Sequence, residues 1–469
     1  MTAKRIGFVI GLAAFVLTLL VPAPAGMPPQ AWAVAGLVVW MAAWWMTEAV
    51  PLTATALLPF LVLPLAGVMN ANETAASYYS PTLFLILGGA FLALAIERTN
   101  LHCRLAVGIL NAMGKDGGPT RLLLAFMFAT ALLSTAISNT STALIMMPMA
   151  GAVLAGGKVG TARKDGLSGA LPMGIAFAAS VGGLGTIIGS PTNAIAVGLL
   201  EESIGVHISF VQWMAYGMPV VLIGVPLAGL IVARVQRVRE DRFDVAAAHA
   251  AIATQREWSL PERRLVPLFG LAFLLWVTQP LTESLLPPGA LTDGTIAVFV
   301  GLLLFIVPDG TGRPLLIWSE ADRAPWGVIM MFGGGLALAA GMTASGLAAW
   351  LGQSLLPLSA LPLWVVALAV TALVVLITEF ASNVATASGI MPVVASLTVA
   401  LGADPLLLAL PAAMAASWGF MLPAGTGPNA IAWATGRIEL KRMVAAGFLL
   451  DIAGVVLLVG TIWAVAALL

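Results

Sequence analysis

Charge is scarce in this sequence. Asp, Glu, Lys and Arg make up 9% of its 469 residues, 60% are hydrophobic, and mean hydropathy is +1.02. Soluble domains carry about 25% charged residues, so a water-exposed globule is excluded and lipid is the solvent for this fold. Cysteine is limited to Cys103, which excludes an intramolecular disulfide. The three histidines, His102, His207 and His249, fall in or near loops, and a tightly held divalent metal would call for several Asp, Glu, His or Cys residues. Net charge is zero, with no basic tail or basic patch flanked by aromatics, so nucleic-acid binding has no support. There is no His-Glu-x-x-His stretch, and Ser388 has no intramembrane histidine to activate it, which argues against an intramembrane enzyme.

Long apolar runs are abundant instead. A membrane barrel needs alternating segments of about 10 residues, and these runs are far longer, so the fold class is an all-α polytopic membrane protein. Candidate spans are 6–22, 31–46, 50–68, 81–97, 170–200, 211–233, 265–286, 294–308, 325–345, 405–436 and 443–468. That predicts eleven transmembrane helices, several of them interrupted. The first run follows Lys4 and Arg5 and leads into a chain that stays apolar, so it reads as a retained helix rather than a cleaved signal.

Positively charged loops stay cytoplasmic. Lys4 and Arg5 precede the first helix. Arg98, Arg104, Lys115 and Arg121 follow the fourth, Lys158, Arg163 and Lys164 precede the fifth, and the linker from Arg234 to Arg264 is arginine-rich, including Arg239 and Arg242 among Glu240 and Asp241. Arg313, Arg323, Arg437, Lys441 and Arg442 complete the 21 basic residues. Loops 23–30, 69–80, 201–210 and 287–293 carry neither Lys nor Arg. The N-terminus is then cytoplasmic and the C-terminus outside, provided that two apolar stretches do not cross.

The first of these, between Arg121 and Lys158, is too short for two crossings, which need about 40 residues, and a single crossing would strand Lys158 outside. A re-entrant helical hairpin resolves the conflict. Its centre, Ser134 to Thr142, is a run of hydroxyls and an amide that lipid would not tolerate.

Three blocks then recur in the same order. Phe84–Ala95 (FLILGGAFLALA) resembles Met331–Ala340 (MFGGGLALAA). Ser138-Asn139-Thr140, followed by Ile145-Met146-Met147-Pro148, returns as Ser382-Asn383-Val384, followed by Ile390-Met391-Pro392. Gly189-Ser190-Pro191-Thr192-Asn193-Ala194-Ile195-Ala196 returns as Gly425-Thr426-Gly427-Pro428-Asn429-Ala430-Ile431-Ala432. The chain therefore reads as an N-terminal helix (1–29), a first repeat (30–235), a cytoplasmic linker (236–264) and a second repeat (265–469). The second hairpin, near 365–398, opens from the opposite face, so the repeats are inverted. Broken helices in inverted repeats place substrate near the midplane, where helix N-termini meet anions and freed carbonyls meet cations. Hydroxyl, amide and carbonyl oxygens are hard neutral ligands, which suit sodium.

These paired motifs, with the Trp44-Trp45-Met46-Thr47-Glu48-Ala49-Val50-Pro51-Leu52 segment, resemble the divalent anion/sodium symporter family of sodium-coupled dicarboxylate, citrate and sulfate carriers. The resemblance implies a homodimer working as an elevator, with two sodium sites. The first would use Ser134, Ser138, Asn139 and Gly189, and the second Thr378, Ala381, Asn383 and Gly425. It further implies that substrate meets Asn139, Thr140, Ser190, Asn383 and Thr426. Val384 stands where the family motif carries threonine, a form similar to that of animal-type members.

Plainer roles stand beside these. An isolated intramembrane Ser or Thr most often bonds its own i−4 carbonyl. Gly88, Gly89 and Gly333 to Gly335 read as close-packing positions. Glu48, beside Pro51, reads as a cap, whereas Glu379 is open to a structural role or a proton relay. The expected function is sodium-coupled transport of a small divalent anion. A sodium-independent exchanger or proton-coupled carrier of the same fold is the alternative, and a channel fits duplicated opposing hairpins less well.

Overall fold

The computed structural model describes residues 3–112, 118–156, 164–238, 257–282, 286–287 and 289–468. Lys115, Lys158, Arg163, His249 and most of the expected linker, 239–256, lie outside the described residues. Among those described there are helices and no strand. Seven helical stretches are long and apolar enough to cross a bilayer on their own.

Helices α1 (Ala3–Leu20) and α2 (Pro29–Thr47) pack along their length because small residues let them approach. A Cβ on Gly11 would lie within 2.9 Å of the Trp40 and Trp44 rings, and one on Gly36 would meet Thr18 at 2.7 Å. Helix α2 ends at Glu48, a left-handed C-cap (φ 48°) whose N–H bonds the Trp44 carbonyl. The expected span 50–68 is divided by prolines into α3 (Leu52–Thr55) and α4 (Leu58–Leu65), followed by α5 (Ala71–Ala76). Helix α6 (Pro81–Thr99) packs through Gly88 against the Ala297 backbone, where a Cβ would lie 2.4 Å from the carbonyl carbon.

From there the same element order appears twice. In the first half α6 leads to a short helix, α7 (Leu101–Ala112). A hairpin follows, α8 (Pro119–Ser134) and α9 (Asn139–Gly156), then α10 (Gly166–Gly182), a non-helical break, α11 (Pro191–Ile204) and the long α12 (Phe210–Val235). The halves are joined through α13 (Leu260–Thr282), α14 (Asp293–Ile306) and α15 (Trp318–Ala321). In the second half α16 (Trp326–Ala344) leads to α17 (Leu347–Leu355), then the hairpin α18 (Leu363–Thr378) and α19 (Asn383–Ala400). Next come α20 (Pro405–Ala415), a break, α21 (Gly427–Ala434) and α22 (Leu440–Ala466). Internal prolines match too: Pro148 in α9 with Pro392 in α19, and Pro172 in α10 with Pro411 in α20.

Every residue of α10 is buried, which a run of Gly, Ala and Ser permits, and it packs against α8, α9, α12 and α21. The halves cross over one another. Helix α11 lies along α19, and α21 lies along α9, so each post-break helix rests on the other half's hairpin. Around this the outward positions are large aliphatics, such as Leu65, Leu222, Leu376 and Val456, as lipid contact requires. A separate apolar cluster joins α2, α3 and α4 to Met331, Leu338 and Met342 of α16.

Candidate functional site

Both hairpins turn through a polar tip in which a hydroxyl ends the first arm and an asparagine begins the second. In the first tip Ser134 Oγ lies 2.8 Å from Asn139 Oδ1 and 2.7 Å from the Ala179 carbonyl oxygen. In the second, Thr378 Oγ1 lies 3.0 Å from Asn383 Oδ1 and 2.7 Å from the Ala416 carbonyl oxygen. Ser134 and Thr378 are fully buried. Each hydroxyl has one hydrogen and faces two acceptors, so each tip has more lone pairs than hydrogens.

The breaks add carbonyls to this surplus. A Cβ on Gly189 would lie 2.6 Å from the Gly183 oxygen and 2.8 Å from the Ser134 oxygen, and one on Gly183 would lie 2.2 Å from Asn139 Oδ1. Asn139 can turn its amide so that nitrogen donates to Ser134 Oγ (2.8 Å), Gly189 O (3.2 Å) and Ala179 O (3.2 Å). In the other orientation Oδ1 completes a cage of oxygens that a cation would satisfy. Around Gly425 the backbone oxygens of Glu379 and Leu422 both lie 3.4 Å from a built Cβ. Hard oxygens line both places, neutral at the first and joined by the Glu379 carboxylate Oε2 3.8 Å from the Gly425 Cβ position at the second, and they fit sodium better than a transition metal.

The breaks are built alike. Ser190 and Thr426 are extended N-caps (φ −142° and −140°), each followed by a proline in the first turn. Asn193 Nδ2 donates to the carbonyls of Gly183 (2.7 Å) and Thr186 (2.9 Å), and Asn429 Nδ2 donates to that of Leu422 (3.1 Å). These buried amides hold the non-helical backbone open. Thr426 Oγ1 is taken by the Asn429 N–H at 3.2 Å. Ser138 and Ser382 cap α9 and α19 by accepting from Ser141 N and Ala385 N, both at 3.2 Å. Four helix N-termini, of α9, α11, α19 and α21, thus arise at the tips and breaks, each with unpaired donors suited to an anion.

The structure brings together Ser134, Asn139 and Gly189, and separately Thr378 and Asn383. Thr140 meets the second break, where a Cβ on Gly427 would lie 2.3 Å from its hydroxyl oxygen. Ala381 is buried at the second tip. Ser138 and Ser190 line a cavity of about 310 Å³ with Ser141, Gly89 and Ala93, and Glu97 and Arg323 also line it. Asn139, Thr140, Asn383, Val384 and Thr426 are not in that wall. Val384 is partly buried and packs on apolar neighbours.

Sequence reasoning missed three participants. Ala179 and Ala416 act through backbone oxygens, which residue type does not advertise. Asp451 is a buried acid inside α22, whereas the sequence pattern points only to Glu48 and Glu379 among the acids. Its neighbours Leu450 and Ile452 made the run read as uninterrupted. Glu379 accepts backbone hydrogen bonds from Phe420, from Met421 at 2.9 Å and from Leu422 at 3.1 Å, and so ties the second tip to the second break. Glu48 is exposed and caps α2.

Comparison with known proteins agrees with this architecture. The chain is 39% identical to the sodium-dependent dicarboxylate transporter SdcS of Staphylococcus saprophyticus, over 97% of its own length and 90% of the relative's. It is 37% identical to SdcS of Staphylococcus aureus strain MRSA252, over 98% and 90%. Among solved structures it resembles the YdaH transporter of Alcanivorax borkumensis (TM-score 0.60, 16% identity, 97% of each chain). It also resembles MtrF of Neisseria gonorrhoeae (TM-score 0.57, 12% identity, 98% and 94%). At those identities the likeness concerns the fold. The family model for the sodium:sulfate symporter transmembrane region matches residues 2–469. This chain is an integral membrane protein and not an enzyme, and it belongs to that family, the divalent anion/sodium symporters.

Proposed function

We propose that the chain is a secondary carrier of a bacterial inner membrane that couples inward sodium movement to uptake of a small dicarboxylate. The observation that carries this reading is the pair of oxygen-rich tips, Ser134 with Asn139 and Thr378 with Asn383, each facing carbonyls freed by a helix break. Sodium co-transport and a dicarboxylate are suggested by the SdcS relatives, which are sodium-dependent dicarboxylate transporters.

In this reading sodium binds first, at Ser134, Ser138, Asn139 and Gly189 and at Thr378, Ala381, Asn383 and Gly425. Its charge adds to that of the four helix N-termini. The dicarboxylate then meets Asn139, Thr140, Ser190, Asn383 and Thr426, with Val384 offering a methyl where threonine would offer a hydroxyl. Repeats 30–235 and 265–469 are inverted, with the linker 236–264 and the N-terminus cytoplasmic and the C-terminus outside. Hairpins and breaks, packed across the halves, move as one body against a scaffold that includes α2 to α4 and part of α16, and two protomers pair through scaffolds. In this reading the cavity between α6 and the first tip opens toward the cytoplasm, since the charge pattern assigns Arg323, which lines it, to that side.

Uptake of labelled succinate, citrate and sulfate into proteoliposomes tests this reading directly. Succinate uptake that needs an inward sodium gradient is expected. Sodium-independent uptake driven by preloaded anion would make the protein an exchanger and withdraw both cation sites.

A further inference from the structure

The first tip carries two polar faces of opposite character. Toward α10, Ser134 and Asn139 meet carbonyl oxygens and are short of hydrogens. Toward α6, Ser138, Ser141 and Ser190 line the 310 Å³ cavity, and there hydrogens are in excess. Ser138 Oγ accepts the Ser141 N–H at 3.2 Å and donates to Ser141 Oγ at 3.0 Å. The two hydroxyls hold two hydrogens and use one between them. The hydrogen left over is that of Ser141, and no acceptor among the described residues takes it.

Ser190 adds a second. It is 4% exposed and has the extended backbone of an N-cap, yet its side chain caps nothing. Thr426, its match at the second break, accepts the Asn429 N–H at 3.2 Å. Hydroxyl donors enclosed in one wall call for an acceptor. The charged residues of that wall, Glu97 and Arg323, belong to α6 and to the turn after α15, so the tip itself offers only neutral donors. An anion oxygen fits them, and a cation does not.

Capping of α9 does not account for the Ser141 side chain. The cap uses the Ser141 N–H, and at the second tip Ala385, at the same offset of 385 − 141 = 244, supplies that N–H to Ser382 with no hydroxyl of its own. We propose, resting on the reading that a dicarboxylate is the cargo, that the Ser141 hydroxyl donates beside that of Ser190 to one carboxylate of the bound anion. Ser141 is then a substrate-recognition residue without a counterpart in the second repeat. Over the matched positions 140 and 384, 141 and 385, and 190 and 426, the first repeat carries three hydroxyls and the second carries one, so the two ends of the anion are held unequally.

Equilibrium binding of labelled succinate to the purified full chain, in saturating sodium, reads this donor without depending on transport. Ser141→Ala keeps the N–H that caps α9, and it should raise the succinate dissociation constant about tenfold. Ser141→Thr, which keeps a hydroxyl, should bind nearly as the native protein does. Sodium binding without anion, read as the rise in thermal midpoint, should be the same in Ser141→Ala as in the native protein. Native succinate affinity in Ser141→Ala would overturn the proposal. Loss of the sodium response in that variant would also overturn it, by making the hydroxyl a structural part of the tip. Succinate that binds the native protein equally well without sodium, yet binds Ser141→Ala more weakly, would withdraw the proposed coupling and leave Ser141 in its role. A native protein that binds no succinate would overturn both.

Discussion

At the scale of single residues, the tips invite the removal of one oxygen at a time. Thr378→Val keeps the shape of the side chain and deletes the hydroxyl that serves Asn383 Oδ1 and the Ala416 carbonyl. Losing a buried partner costs about 1–3 kcal/mol, so the sodium concentration for half-maximal uptake should rise about tenfold. Ser134→Ala should do the same at the first tip. Initial uptake rates across a sodium titration decide it, and unchanged sodium dependence in both variants would count against the oxygen cages. These positions were legible in the sequence because hydroxyl and amide residues are out of place in apolar runs and recur at one offset, 378 − 134 = 383 − 139 = 244. What was not legible acts through the backbone, as Ala179 does, or is a single acid in an apolar helix, as Asp451 is.

At the scale of elements, the breaks after α10 and α20 were legible because Gly-Ser-Pro and Gly-Thr-Gly-Pro end one helix and start another. Helices α7 and α17 were not. The cluster of Arg98, Arg104, Lys115 and Arg121 suggests a charged loop, yet 101–112 forms a helix along α8. Contact between a tip and the opposite break is likewise a property of assembled elements. Gly427→Ala drives a methyl toward Thr140 Oγ1, and Gly183→Ala drives one toward Asn139 Oδ1. Both should abolish uptake while leaving the protein inserted and purified at native yield. Gly118→Ala and Gly151→Ala, where a Cβ meets nothing within 4 Å, should transport normally. Matching activity in all four would show that the tips do not need close approach.

Also at the element scale, α6 is tied to the 309–320 segment by ion pairs. Arg98 binds Asp309, lies 3.5 Å from Glu320, and donates to the Leu315 carbonyl at 2.6 Å, while Arg313 meets Glu320 at 2.5 Å. Burial raises the Asp309 carboxyl, and the Arg98 hydrogen bond and charge, with the Thr311 N–H and hydroxyl, reverse this and hold it well below its ordinary 3.8. Burial acts on Glu320 likewise and is outweighed mainly by Arg313, which leaves it below 4.5. A depressed carboxyl adds stability above its ordinary value, and that stability goes as pH falls through the folded value. The thermal midpoint in detergent should therefore drop between pH 5 and more acid buffers by less in Asp309→Asn than in the native protein, from a lower starting point. An equal acid-side drop in both would show that Asp309 contributes nothing.

At the scale of the whole molecule, the crossing of the two halves packs each break helix on the other half's hairpin, while α6 and α16 lie partly against these elements and partly against the outer helices. In the proposed elevator reading that border slides, and the 310 Å³ cavity lies on it, between Gly89, Ala93 and Glu97 of α6 and Ser138, Ser141 and Ser190 of the first tip and break. Arg323, which the charge pattern assigns to the cytoplasm, lines the same cavity. With Cys103 replaced by serine, Ala93→Cys on the helix and Ser141→Cys on the tip place one thiol on each side of the border. A membrane-impermeant maleimide should label both from the cytoplasmic face in sodium-free buffer. In the proposed elevator reading, sodium and dicarboxylate together let the moving body cross, so Ser141→Cys should gain labelling from outside while Ala93→Cys, on the wall proposed to stay fixed, should not. Labelling of both thiols from outside under all conditions would mean that the cavity faces the other way, and identical responses of the two would mean that no part moves past α6.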